Sequence, residues 1–297
     1  MQKEFEWNGN AMGTEYSVAI VCDTFNVAEK IYKEIEKDIR AYEETFSRFI
    51  PTSELSTINE NKKMIVTSPF LEVTKKAYDL FAKTKGIFNP LVQISRLGYN
   101  QTFSKLTNET NLDNDSLYDI DFSTVIIDEK KSCIELQPGQ KLDYGGFLKG
   151  FLAEKLAKKI KTYSESITGV IVNLGGDIYT LGRDEHQNKF TFNIYNPVFP
   201  NQIIDIELEN QSLATSGIYK RVWKNGGNTV NHILNKTGDK NPETDIISVS
   251  VIHPCGAKSE AYTKMFFSID HHQVQEILGE KISFILIKKD GEVVRNI

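Results

Sequence analysis

The sequence predicts an α+β fold, a single domain of mixed, mainly antiparallel sheets with flanking helices. Helical and strand periodicities alternate along all 297 residues without a Pro-, Gly- or Ser-rich linker, and several strand candidates come in hairpin pairs rather than in β-α-β units. A content of 40% hydrophobic and 25% charged residues is ordinary for a globular protein with a sizeable core. We therefore expect one domain over residues 1–297 and not a doubly wound sheet.

The first predicted elements are a strand and two amphipathic helices. In the segment GTEYSVAIVC, alternate residues over 16–22 share one face, which is the period of a strand. Apolar residues then recur every three or four positions over residues 27–46, as in an amphipathic helix. A second helix is predicted over residues 69–85, with Gly86 ending it.

The rest of the chain predicts a surface excursion and then a series of strands. Residues 99–122 are rich in Asn, Asp, Ser and Thr and indicate a long polar surface excursion. The segment TVIIDEKKSCIELQ looks like a hairpin that turns at its charged centre, and GVIVNLGGDIYTLG like two strands joined at paired glycines. Further strands are predicted at KFTFNIYN, QIIDIELE and DIISVSVI, and the pair ISFILIKK and GEVVRNI turns at Asp290-Gly291.

Charge and cysteine content argue against several classes of function. The 35 basic and 40 acidic residues leave a formal net charge of −5, which argues against general nucleic-acid binding. The three cysteines lie far apart, so neither a disulfide framework nor a CxxC metal site is predicted. No stretch approaches the ~20 apolar residues of a membrane span, and the polar N-terminus MQKEFEWNGN lacks the apolar core of a signal peptide. We expect a cytoplasmic protein, or an exported one if the N-terminus has been trimmed.

The segment LDYGGFLKGF, residues 142–151, is a candidate ligand site. Its three glycines, one carboxylate and one lysine precede the amphipathic run FLAEKLAKKI. Free N–H groups of a first helical turn, the positive end of the helix dipole and the lysine together favour an anion, and a phosphate or diphosphate is the natural ligand. The segment matches neither the Walker A nor the GxGxxG pattern. A tight strand-to-helix turn with a solvated lysine is the alternative.

Further clusters each have an ordinary structural explanation. In SRFIPTSELSTIN, Ser53 can simply cap a helix, and in GIFNPLVQISRLGYN the Phe-Asn-Pro step can simply be a turn. In LATSGIYKR and NHILNKTG no Ser-His-acid triad is predicted, and His232 beside two aliphatic residues is more often packed than catalytic. In HPCGAKSEAYTKMFFSID, Glu260, Thr263 and Lys264 share one helix face. Oxygen ligands there could hold a hard cation, or Glu260 and Lys264 could form a surface ion pair.

In their order along the chain, these segments resemble the ApbE family, the FAD:protein FMN transferases. The resemblance runs from about residue 9 to residue 270 and is carried by AMGT, SRFIPTSELSTIN, FNPLV, LDYGGFLKG, VNLGGD, ATSGIYKR, HILNKTG and the SEAYTK helix. It implies an ApbE-like domain that requires Mg²⁺, cleaves the FAD diphosphate, transfers FMN to a threonine hydroxyl of an acceptor protein and releases AMP. Hydrolysis of FAD to FMN and AMP, and FAD binding without catalysis, are the alternatives.

The resemblance also implies roles for particular residues. The residues implied to line the FAD site are Met12, Phe49, Ile87, Phe88, Asn89, Asp143, Lys149 and Ile233. Of these, Lys149 would be directed at the diphosphate. His232 would lie near the reacting centre, and Asn59 matches a position that helps to decide between hydrolysis and transfer. The residues implied at the metal are Gly146, through its carbonyl, Glu260, Thr263 and Lys264.

The metal helix departs from the family pattern, which usually reads A-D-A-x-x-T. Glu260 stands at the aspartate position and Lys264 at the threonine position. Mg²⁺ tolerates little geometric error, and an ammonium group has three donors and no acceptor. Three outcomes are open: Thr263 takes over the hydroxyl role, Lys264 supplies the positive charge itself, or the site is disabled and only binds a flavin nucleotide.

Overall fold

The computed structural model describes residues 2–99, 120–225 and 227–297 and consists of helices packed on antiparallel sheets. The α-helices in these ranges are α1 (Phe25–Phe46), α2 (Glu54–Asn61), α3 (Ser68–Lys83), α4 (Leu148–Thr162), α5 (Gly256–Met265) and α6 (His271–Leu278). The strands are β1 (Lys3–Ala11), β2 (Thr14–Cys22), β3 (Lys63–Ile65), β4 (Ile126–Asp128), β5 (Cys133–Glu135), β6 (Gly169–Leu174), β7 (Asp177–Gly182), β8 (Phe190–Tyr195), β9 (Ile203–Leu208), β10 (Ser212–Gly217), β11 (Val222–Asn225), β12 (Asn228–Asn231), β13 (Ile246–His253), β14 (Ser283–Lys288) and β15 (Val293–Asn296). The predicted α+β class is confirmed.

One eight-stranded antiparallel sheet organises the molecule, in the order β1-β2-β6-β7-β10-β13-β14-β15. The smaller sheets are β3-β5-β4 and the hairpins β8-β9 and β11-β12. Helices α4 and α5 contact each other and pack on the large sheet, α4 on β6 and β7 and α5 on β10 and β13. The β6–β7 turn and the two helices therefore meet beside the glycine-rich segment that precedes α4.

The predicted first strand and the two long helices are confirmed with small shifts. Strand β2, Thr14–Cys22, lies within the predicted segment GTEYSVAIVC. Helix α1 begins two residues earlier than predicted, at Phe25, and buries its apolar stripe in the core. Helix α3 ends at Lys83 because Lys85 and Gly86 both have positive φ, 52° and 79°.

The predicted hairpins are also confirmed. The segment TVIIDEKKSCIELQ forms β4 and β5, and the paired glycines join β6 to β7. Gly291, with φ of 90°, lies in the turn between β14 and β15. The Oγ atom of Ser53 accepts the N–H of Ser56 at 2.9 Å and caps α2, so the structural explanation of that serine is right.

Two strands of the large sheet, β1 and β10, are not among the predicted elements. Strand β1, at the edge of the large sheet, is absent from the predicted elements, although its exposed and half-buried positions alternate and Phe5, Trp7 and Ala11 lie on the inner side. Strand β10 lies inside the sheet but carries Ser, Ala, Thr and Gly, which have no strong strand signal. Its Ser212 hydroxyl is hydrogen-bonded to the hydroxyl of Ser259 on α5 at 2.7 Å. Polar pairs between sheet and helix therefore replace the apolar contacts that a periodicity search detects.

The predicted polar excursion over residues 99–122 is described only at its borders. Residues 100–119 lie outside the described residues. Tyr99 and Phe122, at its two borders, are both buried, and the surface position of the excursion between them stays a prediction. Phe122 packs with Tyr78 and Phe81, with ring centroids 6.1 and 5.8 Å away. In the described ranges, no helix is both long and apolar enough to cross a lipid bilayer.

Candidate functional site

A buried lysine between two carboxylates forms the centre of the candidate site, which we call the Lys149 cluster: Lys149, Asp177, Glu260 and Lys264. The Nζ atom of Lys149 donates to Oε1 of Glu260 at 2.5 Å and also to Oδ2 of Asp177. The other carboxylate oxygen of Glu260, Oε2, accepts the backbone N–H of Gly150 at 2.8 Å. Side-chain exposure is 18% for Lys149, 5% for Asp177 and 2% for Glu260. Water therefore screens these charges only weakly.

Two glycines let the helices that carry these groups touch. Gly150 lies in the first turn of α4 and Gly256 is the first residue of α5. A Cβ on Gly150 would lie 2.3 Å from the carbonyl oxygen of Gly256, and a Cβ on Gly256 would lie 2.1 Å from the carbonyl oxygen of Gly150. Only glycine fits at both positions. The crossing places Lys149 of α4 beside Glu260 of α5.

The β6–β7 turn supplies the second carboxylate. Gly175 and Gly176 have φ of 69° and 98°, a backbone region that other residues adopt with strain. The N–H of Gly176 donates to Oδ1 of Asn173 at 2.8 Å, which closes the turn. Strand β7 begins with the next residue, Asp177, so the turn places this carboxylate in the cluster. A Cβ on Gly175 would lie 2.4 Å from Oγ1 of Thr14, which puts the β1–β2 turn alongside.

Lys264 adds a second ammonium group next to the glycine-rich segment. From the last turn of α5, its Nζ donates to the backbone carbonyl of Glu260 at 2.8 Å and lies 3.9 Å from Oε1 of that residue. Its Cε lies 3.8 Å from the position that a Cβ on Gly146 would take. The Cε2 atom of Phe88 lies 2.9 Å from the same position. The bare backbone at Gly146 is therefore close to a cation, while the ring of Phe88 covers part of it.

Burial and mutual charge shift the pKa values of all four groups. Burial raises the pKa of Asp177 to about 6, and the charge of Glu260 adds to this effect. Burial opposes the charged forms of Lys149 and Glu260 as well, but the opposite charges around them outweigh it. The pKa of Lys149 is therefore raised and that of Glu260 is lowered. Burial lowers the pKa of Lys264, and the charges of the nearby carboxylates offset this effect only in part.

The hydroxyl of Thr263 is hydrogen-bonded to two other groups of the protein. It donates to the backbone carbonyl of Glu260 at 2.6 Å. Its hydrogen bond of 2.6 Å with the hydroxyl of Ser216 on β10 is therefore donated by Ser216. Both side chains are buried. The described conformation thus does not support the outcome in which Thr263 takes over a role at a metal.

The residues predicted at the metal position do not fit Mg²⁺. This ion takes a near-octahedral set of oxygen ligands at about 2.0–2.1 Å. Both carboxylate oxygens of Glu260 already accept hydrogen bonds, from Lys149 and Gly150, and Lys264 brings a donor without a lone pair. Two ammonium groups near the same carboxylate would also repel a further cation. The four predicted residues come together, but the side-chain oxygens of Glu260 and Thr263 are engaged in hydrogen bonds and Lys264 offers none, which leaves the carbonyl of Gly146 as a single ligand atom.

A separate group of candidate metal ligands lies at the start of α6. Asp270, His271 and His272 offer ligand atoms that all lie within 4.8 Å of one another. The side chain of Asp270 already accepts the N–H of His272 at 2.8 Å and caps the helix. A helix cap is a sufficient explanation for this group.

Asn59 and Asp143 shape the backbone that leads into the glycine-rich segment. The side-chain amide of Asn59 donates to the carbonyl of Leu142 at 2.8 Å and accepts the N–H of Leu142 at 2.6 Å. Asp143 accepts the N–H of Gly145 at 2.8 Å through Oδ1 and pairs with Nη1 of Arg48 at 3.2 Å through Oδ2. Both predicted site residues therefore position the turn, and their direct contact with a nucleotide stays a prediction.

An aromatic and cationic surface lies beside Asp143. The guanidinium carbon of Arg48 lies 4.6 Å from the ring centroid of Phe49 and 4.7 Å from that of Tyr99. Phe49 is 36% exposed, and the ring of Tyr99 packs on Trp223 with centroids 5.3 Å apart. The exposed ring of Phe49 next to a guanidinium group suits an aromatic ligand that carries an anion.

The Ile-Phe-Asn turn reaches the cluster through Phe88. This ring is buried and packs edge-on against Phe147, with centroids 5.8 Å apart. The side-chain amide of Asn89 is hydrogen-bonded within the protein. Its Nδ2 donates to a backbone carbonyl at 2.6 Å, and its Oδ1 accepts a backbone N–H at 3.0 Å. Ile87 is partly buried against the core. Of these three predicted FAD contacts, the structure brings Phe88 to the glycine-rich segment.

His232 is affected by three nearby positive charges, those of Arg221, Lys264 and Lys149. Its Nδ1 atom is buried and has no hydrogen-bond partner in the described part of the chain. Burial, and after it the charges of Arg221, Lys264 and Lys149, together lower its pKa to about 3, against a smaller opposite effect of a hydrogen bond with the Arg221 backbone. The imidazole is therefore neutral at pH 7. Ile233, the next residue, is buried in the core.

Met12 lies in the turn between β1 and β2. Its φ is 54°, and its N–H donates to Oε1 of Glu43 on α1 at 2.6 Å. Because this turn lies alongside the β6–β7 turn, Met12 is brought to the side of the molecule that carries the cluster. Its contact with FAD stays a prediction.

Three charged residues of the site are not among the predicted site residues: Asp177, Arg48 and Arg221. All three lie in recognised segments, VNLGGD, SRFIPTSELSTIN and ATSGIYKR. A signal was available only for Asp177, because a carboxylate directly after paired glycines often marks a tight turn beside a ligand. Nothing in the sequence distinguishes the two arginines from solvated surface residues.

Comparison with known proteins gives consistent matches. The model of the ApbE family matches residues 12–286. A curated protein named FAD:protein FMN transferase from Klebsiella pneumoniae (strain 342) is 26% identical over 57% of this chain and 53% of its own length, so the match spans about half of that relative. One of the same name from Haemophilus influenzae is 23% identical over 98% of this chain and 89% of its own. The crystal structure of the ApbE protein from Thermotoga maritima has a TM-score of 0.84 at 23% identity, covers 99% of this chain and 97% of that one, and shows the same fold.

Proposed function

The chain belongs to the ApbE family, and on that premise we propose that it is an FAD:protein FMN transferase that acts on a flavoprotein acceptor. The oxygen of a threonine hydroxyl on the acceptor attacks the phosphorus of the FMN half of FAD. The bond from that phosphorus to the bridging oxygen breaks, a phosphoester bond to the threonine forms, and AMP leaves with the bridging oxygen. Relatives that match this chain carry the name of this activity.

The observation that carries the proposal is the pair of lysines at the glycine-rich segment, Lys149 within it and Lys264 beside Gly146. Lys149 and Lys264 lie in the cluster, and Arg221 is close enough to lower the pKa of His232. Phosphoryl transfer asks a protein mainly to position the reactants and to neutralise the phosphoryl oxygens. A diphosphate beside Gly146 would meet both the bare backbone and the positive charges.

We assign the proton of the acceptor hydroxyl to His232. Its imidazole is neutral, and Nδ1 has no hydrogen-bond partner in the described ranges. Without a ligand, burial and the surrounding cations hold its pKa at about 3, which makes it a weak base. A bound diphosphate would offset those cations and raise the pKa toward the range in which a general base works best.

The flavin ring is proposed to lie on the exposed ring of Phe49, next to the guanidinium group of Arg48. An exposed phenyl ring next to a guanidinium group offers stacking to the ring and charge to the neighbouring phosphate. The other predicted FAD contacts, Met12 and Ile233 among them, stay predictions.

A second candidate function is FAD binding without catalysis. One observation favours it: the position predicted for Mg²⁺ contains the ammonium group of Lys264 and no free set of oxygen atoms. Mg²⁺ itself stays a prediction from the resemblance, and we assign no step of the reaction to it.

Mass measurement of an acceptor domain distinguishes these functions. Purified protein is incubated with FAD and a threonine-bearing acceptor domain, in Mg²⁺ and in parallel in EDTA. A mass increase of the acceptor by one FMN moiety supports transfer, whereas AMP and free FMN with an unmodified acceptor indicate FAD hydrolysis. Intact FAD bound to the protein indicates binding alone. His232→Asn, as a matched variant, should still bind FAD but lose transfer.

A further inference from the structure

Lys264 is a largely buried cation with unused hydrogen-bonding capacity. Its side chain is 20% exposed, and in the described ranges its hydrogen-bond acceptor is the backbone carbonyl of Glu260 at 2.8 Å. An ammonium group has three donors. The carboxylate of Glu260 lies 3.9 Å away and is already bonded to Lys149 and Gly150. Burying an ammonium with so little compensation destabilises a fold, so stability does not explain why this lysine is here.

The side chain of Lys264 runs along the glycine-rich segment. Its Cε lies 3.8 Å from the position of a Cβ on Gly146, which is van der Waals distance, and the ring of Phe88 lies on the same position at 2.9 Å. Helix α4 begins two residues later, at Leu148. The N–H groups of Leu148 and Gly150 in its first turn already donate to the carbonyl of Tyr144 and to Glu260, so the helix favours an anion here mainly through the positive end of its dipole. A buried ammonium group and a helix N-terminus therefore act on the same small volume.

The charges in this volume favour an anion over a further cation. Three cations, Arg221, Lys264 and Lys149, act on His232 from nearby. The Lys149 cluster contains two carboxylates, and both are already bonded to Lys149. A divalent cation would increase the excess of positive charge, whereas a diphosphate would remove it.

We propose that Lys264 takes the place of a divalent metal ion at the FAD diphosphate, so that this chain binds FAD without Mg²⁺. The inference rests on the proposed function and deepens it, because it names the group that neutralises the substrate. The two donors that Lys264 does not use on Glu260 bind non-bridging oxygens of the diphosphate. The ammonium group supplies one positive charge where a magnesium ion would supply two.

FAD binding tests this inference separately from the transferase activity. Quenching of flavin fluorescence yields the Kd of FAD and of riboflavin, which lacks phosphate, in excess EDTA and in excess Mg²⁺. We expect the wild-type protein to bind FAD with the same Kd in both conditions. We also expect Mg²⁺ alone to give no binding signal in calorimetry.

Three substitutions of Lys264 distinguish the effect of its positive charge from the effect of its size. Lys264→Met keeps an unbranched side chain of nearly the same length and removes the ammonium group, which should weaken FAD binding about tenfold or more and leave riboflavin binding unchanged. Lys264→Thr offers an oxygen ligand, so FAD binding should weaken in EDTA and recover in Mg²⁺. Lys264→Arg keeps the charge and should keep the independence from Mg²⁺. The control is Lys33→Met, at an exposed lysine of α1, which should change neither Kd.

Three results would overturn the inference. FAD binding by the wild-type protein only in Mg²⁺ would do so and leave the proposed function standing. Equal weakening of FAD and riboflavin in Lys264→Met would show that Lys264 supports the pocket and does not bind phosphate. Absence of FAD binding in every condition would overturn both proposals. If circular dichroism shows that Lys264→Met does not fold, Lys264→Thr decides, because FAD binding by that variant with the same Kd in EDTA as the wild-type protein would overturn the inference.

Discussion

At the scale of single residues, Lys149 holds the two buried carboxylates of the site together. Its ammonium group donates to both Asp177 and Glu260. Without it, two like charges would face each other in a region with little water, although Lys264 still lies 3.9 Å from Glu260. The lysine that the sequence predicted for the diphosphate is thus also needed for the folded state.

Lys149→Met should lower the free energy of unfolding by about 3 kcal/mol or more, because it leaves buried charges without their partner. Urea denaturation measures the change. Adding Asp177→Asn should recover part of the loss, since one of the two buried charges is then gone. Lys155→Met, which removes the exposed pair with Glu72, is the control and should cost less than about 1 kcal/mol. A loss in Lys149→Met no larger than in this control would contradict the prediction.

His232 should make the protein less stable as the pH falls. Its pKa is about 3 in the folded state, against an ordinary value of 6.5. Between these values the unfolded chain binds a proton that the folded chain does not. The stability contribution is therefore complete above pH 6.5 and is lost on acidification, by at most about 1.4 kcal/mol per pH unit.

His232→Asn should flatten this acid dependence. Asp177, whose pKa is raised to about 6, acts in the opposite direction, because the folded state then binds the proton more readily. The measurement is therefore the difference between the wild-type protein and His232→Asn in urea denaturation from pH 7 to pH 5. His186→Asn, at an exposed histidine, should show no such difference. Parallel pH curves for the wild-type protein and His232→Asn would mean that His232 is not held neutral.

At the scale of elements, the crossing of α4 and α5 places the site. The two helices approach each other through Gly150 and Gly256, and each contributes a charge of the central pair, Lys149 and Glu260. The backbone N–H of Gly150 also binds Glu260 directly. Helix packing and site geometry therefore depend on the same glycine.

Gly150→Ala should destabilise the protein by about 1–3 kcal/mol, because its Cβ would overlap the carbonyl oxygen of Gly256 and force the helices apart. Thermal and urea unfolding measure the loss. The same variant should weaken FAD binding, since Glu260 moves with α5. Lys158→Ala, on the exposed face of α4, should change stability by less than about 0.5 kcal/mol. Unchanged stability in Gly150→Ala would show that the crossing is looser than described.

Elements with a clear period are predictable from sequence, and those that depend on their neighbours are not. Helices α1 and α3 and the hairpins β6–β7 and β14–β15 bury one regular apolar face, which composition and spacing reveal. Strand β10 has no such face, because Ser212 and Ser216 are satisfied by hydroxyl groups of α5. A strand of this kind becomes recognisable only when its hydrogen-bond partners are in place.

At the scale of the whole molecule, the site is assembled from segments far apart in the chain. Lys149 and Glu260 are 111 residues apart, and Asn59 and Leu142 are 83 residues apart. A ligand that binds between such segments binds the folded state and not the unfolded chain. Ligand binding should therefore stabilise the fold as a unit.

FAD at about 100 times its Kd should raise the free energy of unfolding by about 2.7 kcal/mol. Differential scanning calorimetry in EDTA measures the corresponding rise in Tm. NAD⁺, which has a diphosphate but no flavin, is the matched ligand and should raise Tm less at the same concentration. An unchanged Tm at saturating FAD would contradict a binding site that is assembled from segments far apart in the chain.

The sequence by itself determined the fold class, the family and the segments that contain the site, because periodic burial and the order of motifs are local properties of the chain. Only the tertiary structure decided how the charges pair. The bonds of Lys149 to Asp177 and Glu260, the place of Lys264 beside Gly146, and the neutral state of His232 depend on which helix crosses which strand. Those distances and the exclusion of water are set by packing between remote segments, and no spacing along the chain encodes them.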